Sequence, residues 1–242
     1  MRHLLATVAL APVLLLQGRH VRRTARLLPE PAGPREGASG SGPLLRLLVT
    51  GDSAAAGVGA QTQDEALSGR IVAGLQDSVR VRWKLLAFSG ATTTDVLERL
   101  QQAPAEDFDV AVTSLGVNDV TGRCSLKDWR CRQGQLIALL EGKFRVRHIL
   151  LSGLPPMHRF PALPQPLRWY IGRRAQDFNR ALAGLAAARA GCEYLKPSHA
   201  MMDARDMAAD GFHPGPAIYA AWAAELVRRI VERIPQSSQE AP

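Results

Sequence analysis

The sequence predicts an α/β domain in which a parallel sheet of five strands is covered on both faces by helices. Three observations lead there. Short apolar runs alternate with longer amphipathic stretches from Leu44 to the last helix, and that spacing implies right-handed strand–helix–strand crossovers. The chain has 242 residues, a length that suits one domain. Its 46% hydrophobic and 21% charged residues are ordinary globular usage, enough to bury a sizeable core and too apolar for a disordered chain.

The elements follow in order. Leu4 to Leu16 is an apolar stretch preceded by Arg2 and His3. It is shorter than the roughly 18 residues expected of a membrane-spanning helix. Gln17-Gly18-Arg19-His20-Val21-Arg22-Arg23 follows, with no small-residue cleavage site and no lipid-accepting cysteine. An apolar plug with an arginine collar fits peripheral attachment to a membrane. A leader with no role fits as well, so residues 1–28 are left as a leader or attachment segment. Pro and Gly dominate 29–43, which reads as a linker, and the folded body is expected over 44–235 with a tail at 236–242.

Strands are expected over Leu44–Thr50, Val81–Phe88, Phe108–Leu115, Val146–Ser152 and, more weakly, Glu193–Leu195. Helices are expected over Asp64–Asp77, Thr93–Gln101, Leu126–Gly142, Leu167–Ala190 and Pro216–Arg233, the last with proline in its first turn. Ligands of such sheets sit beyond the carboxyl ends of the strands.

Charge and cysteine usage exclude several functions. Residues 1–46 carry seven arginines against Glu30 and Glu36, a net +5 of the chain's +8, so the body is nearly balanced. Aromatics are 5% and no basic stripe is interleaved with them, so a nucleic-acid partner is not expected. Cys124, Cys131 and Cys192 make no C-x-x-C and no disulfide framework; Cys124 and Cys131 are left either paired or free. No histidine pair or carboxylate cluster suggests a metal, and Gly57-Val58-Gly59 lacks the third glycine of a dinucleotide fingerprint. No cofactor is expected. Compartment stays open: cytoplasmic or membrane-associated on one reading, periplasmic or secreted on the other.

Four fragments fall at strand ends or in the last loop: Gly51-Asp52-Ser53 with its small-residue run, Ser89-Gly90-Ala91, Gly116-Val117-Asn118-Asp119, and Asp210-Gly211-Phe212-His213. Together, in this order, they resemble the four blocks of the SGNH (GDSL-type) hydrolases, serine esterases and lipases, particularly the bacterial thioesterase/lysophospholipase branch. Ala54 stands where many members have leucine. The resemblance implies a three-layer α/β/α, flavodoxin-like fold and hydrolysis of carboxylic esters through an acyl-serine intermediate. A thioesterase, lysophospholipase or acyltransferase using the same residues is the nearest alternative; a silent membrane-tethered binding domain is another.

Acyl transfer needs a nucleophile, a base, a group orienting that base, and donors for the developing oxyanion. Ser53 is the expected nucleophile, His213 the base and Asp210, three residues earlier, the group that fixes the imidazole tautomer. No G-x-S-x-G elbow exists, which disfavours the α/β-hydrolase version. By the resemblance, the oxyanion donors are the backbone N–H groups of Ser53 and Gly90 and the Asn118 amide. Glycine at 90 is expected because a side chain would block backbone approach. Asp52 and Asp119 are expected to bond loop amides. His148, His158 and His199 are expected to be surface or satisfied histidines. The proline-rich, aromatic segment Leu154–Tyr170 is expected to border an acyl pocket through Phe160 and Trp169, with Thr121–Arg132 and Trp129 as the opposite wall. The substrate is expected to be a small-molecule or lipid ester.

Overall fold

The computed structural model describes residues 2–197 and 204–233. In chain order these form α1 (Arg2–Thr24), β1 (Glu36–Ser39), β2 (Leu44–Gly51), α2 (Ser53–Ala56), α3 (Leu67–Leu75), β3 (Arg80–Ala87), α4 (Thr93–Gln102), β4 (Val110–Ser114), α5 (Val117–Thr121), α6 (Leu126–Gly142), β5 (His148–Ser152), α7 (Leu167–Ala187), β6 (Cys192–Leu195) and α8 (Pro216–Val231).

Apolar sequences buried on both faces explain the central strands. Val49, Val112 and Leu150 face one helical layer, whereas Leu48, Ala111 and Leu151 face the other. The sheet order is β1-β3-β2-β4-β5-β6, with every pair parallel except β1–β3. Helices α3 and α8 cover one face; α4, α6 and α7 cover the other. This is the expected three-layer architecture. The connection from β2 goes out to β3 and then crosses back to β4, so the direction of winding reverses between the carboxyl ends of β2 and β4. That reversal opens a crevice.

The strand count is six rather than five. The extra strand, β1, lies inside the segment whose composition marks it as a linker. Its four residues pair antiparallel with β3, from Glu36 opposite Lys84 to Ser39 opposite Val81. Around it Ser89 N–H donates to Glu30 Oε1 (2.7 Å) and Leu85 N–H to the Arg35 carbonyl (2.7 Å). Backbone pairing with an otherwise bare sheet edge orders this segment, a force that side-chain composition does not register.

The apolar stretch at the amino terminus is part of α1. Leu14 is buried against the α6/α7 layer, and Gln17 clamps the start of α7, donating to the Gln165 carbonyl (2.7 Å) and accepting from Leu167 N–H (3.0 Å). Val13, Leu15 and Leu16 face outward. Among the described residues no helix is long and apolar enough to cross a membrane. The residues of the expected tail at 236–242 lie outside those described.

Candidate active site

Both walls of the crevice between β2 and β4 are set by close backbone contact. Asp52 N–H donates to the Ser114 carbonyl (3.0 Å), and a Cβ on Gly51 would come within 2.2 Å of that same oxygen. Only glycine lets the chain turn out of the sheet there. Asp52 caps α2, its Oδ1 accepting Ala54 N–H (3.1 Å), and Ser53 is the first helical residue. A first-turn N–H has no acceptor within its own helix. Gly57 closes α2 at φ +95°, and the buried Tyr219 hydroxyl donates to the Val58 carbonyl (2.7 Å), tying this turn to α8.

The loop before α8 brings two more predicted residues to Ser53 across 160 positions of sequence. His213 Nε2 lies 2.8 Å from Ser53 Oγ, and His213 Nδ1 lies 2.5 Å from Asp210 Oδ2. Asp210 Oδ1 accepts the backbone N–H groups of Phe212 and His213, each at 3.0 Å, so the carboxylate is held in one orientation. Burial raises the cost of its charge, but the His213 ring and those two amides outweigh it and hold the carboxyl below its ordinary value. The Asp210 side chain is only 4% exposed, and that of His213 is 19%.

Asn118, on α5, donates one amide hydrogen to the Ala91 carbonyl (2.9 Å), leaving the other to point elsewhere. That bond joins the loop after β3, which holds Gly90, to the loop after β4. Gly90 adopts φ +78°, yet a Cβ there would meet nothing within 4 Å. Backbone conformation, not crowding by the protein, calls for glycine at this position. Asp119 bonds α4 as expected of a loop-tying residue: Oδ2 accepts Thr93 N–H (3.1 Å) and Thr93 Oγ (2.9 Å), and burial pushes its carboxyl up.

A narrow cleft of about 60 Å³ opens beside Ser53. Phe160, Met207, Phe212, Ile218 and Trp222 make it apolar. Phe160 stands edge-to-face on Phe212, with ring centroids 5.1 Å apart. Thus Phe160 borders the cleft, as expected of its segment, whereas Trp169 is not among its lining residues. Trp129 is no wall at all. It is fully buried in the core against Phe178 (centroids 4.6 Å apart), because its place on the first turn of α6 points it inward. Sequence reasoning missed the wall contributed by α8. Ile218 and Trp222 stand four positions apart on one helical face, a signal that marks burial but not what lies above the buried face.

The remaining candidates are ordinary. His148 is buried beside Glu193 (3.3 Å) with its pKa lowered, chiefly by that burial. His158 is exposed, and His199 lies outside the described residues. The three cysteines are free thiols, and no metal-binding group of His, Cys, Asp or Glu occurs among the described residues.

A family model described as GDSL-like lipase/acylhydrolase matches residues 49–221. A GDSL-like esterase of Mycobacterium tuberculosis is 28% identical over 185 residues, covering 73% of this chain. The chain spans 58% of that relative's length. Among solved structures, a carbohydrate esterase family 2 enzyme from Myceliophthora fergusii superposes with a TM-score of 0.64 at 14% identity, covering 84% of this chain and 68% of that one. An acetylxylan esterase from Geobacillus stearothermophilus gives 0.56 at 17% identity, covering 83% and 99%. At such identities the structural likeness concerns the fold.

Proposed function

Because the chain belongs to the GDSL-like lipase/acylhydrolase family, we propose that it hydrolyses carboxylic esters of short acyl chains through an acyl-serine intermediate on Ser53. One observation carries this reading: the continuous chain Ser53 Oγ, His213 imidazole, Asp210 carboxylate, with links of 2.8 and 2.5 Å.

With the Nδ1 proton held on Asp210, Nε2 is left as the acceptor of the serine proton. As Ser53 Oγ attacks the ester carbonyl, His213 takes that proton. It returns the proton to the departing alkoxide, and a water then repeats the sequence on the acyl-serine. The Ser53 and Gly90 backbone N–H groups and the unengaged hydrogen of the Asn118 amide would meet the developing oxyanion. Each such donor is worth about 2.7–4 kcal/mol in the transition state. The narrow apolar cleft supports a short acyl group; neither a metal nor an organic cofactor has a part in these steps. The same residues would serve a thioester or transfer to an alcohol, and the geometry at Ser53 does not favour those readings over hydrolysis.

Peripheral lipid contact, one of the two readings left open for the amino-terminal segment, belongs to this proposal. It draws support from Val13, Leu15 and Leu16, exposed on α1, the helix whose last turn carries Arg22 and Arg23.

Labelling by a fluorophosphonate and turnover of p-nitrophenyl acetate test the assignment. Ser53→Ala is expected to abolish labelling, and Ser53→Ala and His213→Ala each to lower kcat about 10³-fold or more with the fold retained. Undiminished turnover in either variant rules the assignment out.

A further inference from the structure

We propose that the depression beyond Asn118 is a subsite for an anionic group, carboxylate or phosphate, carried by the leaving alcohol of the ester. This rests on the acyl-transfer reading of Ser53. In a tetrahedral intermediate the acyl chain, the leaving oxygen and the oxyanion leave the carbon in different directions, so the acyl chain and the leaving group need separate surfaces. Asn118, offered as an oxyanion donor, lines the depression, and its chain neighbour Val117 lines the cleft beside Ser53. The apolar cleft lies on the Ser53 side, and a wider depression of about 330 Å³ is lined by Thr92, Asn118, Asp119, Arg123, Asp128 and Arg132. The two surfaces differ sharply in chemistry. One suits an acyl chain, whereas the other suits a polar, charged group.

The sign of that charge follows from what each side chain already holds. Asp128 Oδ2 accepts the Ser125 hydroxyl (2.7 Å) at the cap of α6. Asp119 is buried against Thr93, and that burial disfavours its charge, although Arg132 acts the other way. Arg132 Nη1 contacts only the weak acceptor Cys124 Sγ (3.5 Å). Among the described residues neither Arg123 nor Arg132 has a carboxylate within the 4.0 Å of an ion pair. Two further guanidinium groups hold the same loop without lining the depression. Arg22 Nη2 donates to the Thr121 carbonyl (3.1 Å) and Arg174 Nη2 to the Cys124 carbonyl (2.6 Å). The depression itself is lined by two guanidinium groups without an ion-pair partner among the described residues and by two carboxylates, one capped and one buried; Arg22 and Arg174 add positive charge on the same loop from outside that lining. Guanidinium forks match the paired oxygens of carboxylate and phosphate. The depression is open to water, so the attraction is modest and sensitive to salt.

The test uses the full chain and three acetate esters of one phenol skeleton, bearing at the para position a carboxylate, a phosphate or a neutral carboxamide. Wild type is expected to show kcat/KM about tenfold higher for the better charged ester than for the amide at low salt. That is a difference of about 1.4 kcal/mol, and about 0.5 M salt should largely erase it. The two charged arms tell carboxylate from phosphate. Arg123→Gln combined with Arg132→Gln should remove the preference and leave turnover of the amide within about twofold, which doubles as the folding control. Measurable and equal turnover of all three esters by wild type, or a preference that survives in the double variant, overturns the subsite. Equilibrium binding to Ser53→Ala separates the two claims. Tighter, arginine-dependent binding of a charged ester supports the subsite even where wild type hydrolyses none of them, a result that would count against Ser53 alone. Equal binding of charged and neutral esters overturns the subsite whatever the turnover.

Discussion

Asp52, the residue before the proposed nucleophile, is 2% exposed and has one carboxylate oxygen, Oδ2, with no partner among the described residues. Burial pushes its pKa up to about 7; Asp119 adds to this, whereas the Ala54 amide and His213 oppose it. The consequence for stability has a definite sign. A carboxyl near 3.8 in the unfolded chain and about 7 in the folded one favours folding most below the lower value, and that contribution is lost as pH rises toward the upper one. The swing is on the order of 4 kcal/mol at about 1.4 kcal/mol per pH unit. Asp52→Asn keeps the oxygen that caps α2 and removes the charge. Its denaturation midpoint, compared with wild type at pH 4.5, 6 and 8, is expected to lie nearest to wild type at the lowest pH and to gain progressively as pH rises; parallel curves would show that Asp52 carries no such load. At this scale Ser53, Asp210 and His213 were legible because their chemistry restricts residue type. Glu30 was not. Its carboxylate holds Ser89 N–H from a segment 59 residues away, and no local pattern marks such a pairing.

Helices advertise their ends when a side chain closes them. The Ser125 hydroxyl receives Asp128 N–H, and α6 runs over the residues expected from sequence. At α4, Thr92 and Asp95 form a reciprocal cap, and the start is again as expected. Helix α3 begins later than the Asp64 start that its pattern suggests, because turns closed by the Thr62 and Gln63 carbonyls occupy the intervening residues. Strand β1 was invisible for the opposite reason, since its residues are mostly exposed and show no apolar alternation. Between β5 and α7 the proline-rich segment divides into parts with different work. Phe160 is 5% exposed and lines the cleft, while Trp169 is half-buried on the first turn of α7 and does not line it. Phe160→Ala is expected to shift kcat/KM toward longer acyl esters, at a stability cost of about 3 kcal/mol. Trp169→Ala should leave the chain-length profile unchanged. A series from acetate to octanoate esters reads both, and an unaltered profile in Phe160→Ala removes the segment from the acyl pocket.

For the molecule as a whole, sheet closure and site assembly depend on the same short stretch. Residues 29–43 cover the outer edge of β3, and they hold the loop that carries Gly90. Arg35 bridges the two, pairing with Glu30 (2.8 Å) and donating to the Ala87 carbonyl at the end of β3. A chain beginning at Leu44, the boundary suggested by composition, loses β1, the Arg35 carbonyl as acceptor for Leu85, and the Glu30–Ser89 bond. Bonds from Gln63 N–H to the Ala32 carbonyl, Ser39 to Gln76, Arg80 N–H to the Pro43 carbonyl and Arg35 to Ala87 go with them, and at about 1 kcal/mol each these losses lower Tm by about 12 °C or more in a body of this size. Loosening the oxyanion donor proposed at Gly90 is expected to lower kcat by about 10²-fold. A chain beginning at residue 29 keeps the strand and the Glu30 contact. Its kcat for p-nitrophenyl acetate should stay within about twofold of the full chain, since α1 touches the body through Leu10, Leu14, Gln17, Val21 and Arg22, none of which lines the cleft beside Ser53. Glu30→Ala in the full chain separates the two effects, because it releases Ser89 while leaving β1 paired. A fall in kcat with little change in Tm is expected there. Full activity in the chain beginning at Leu44 would mean that the Gly90 loop keeps its shape without this support.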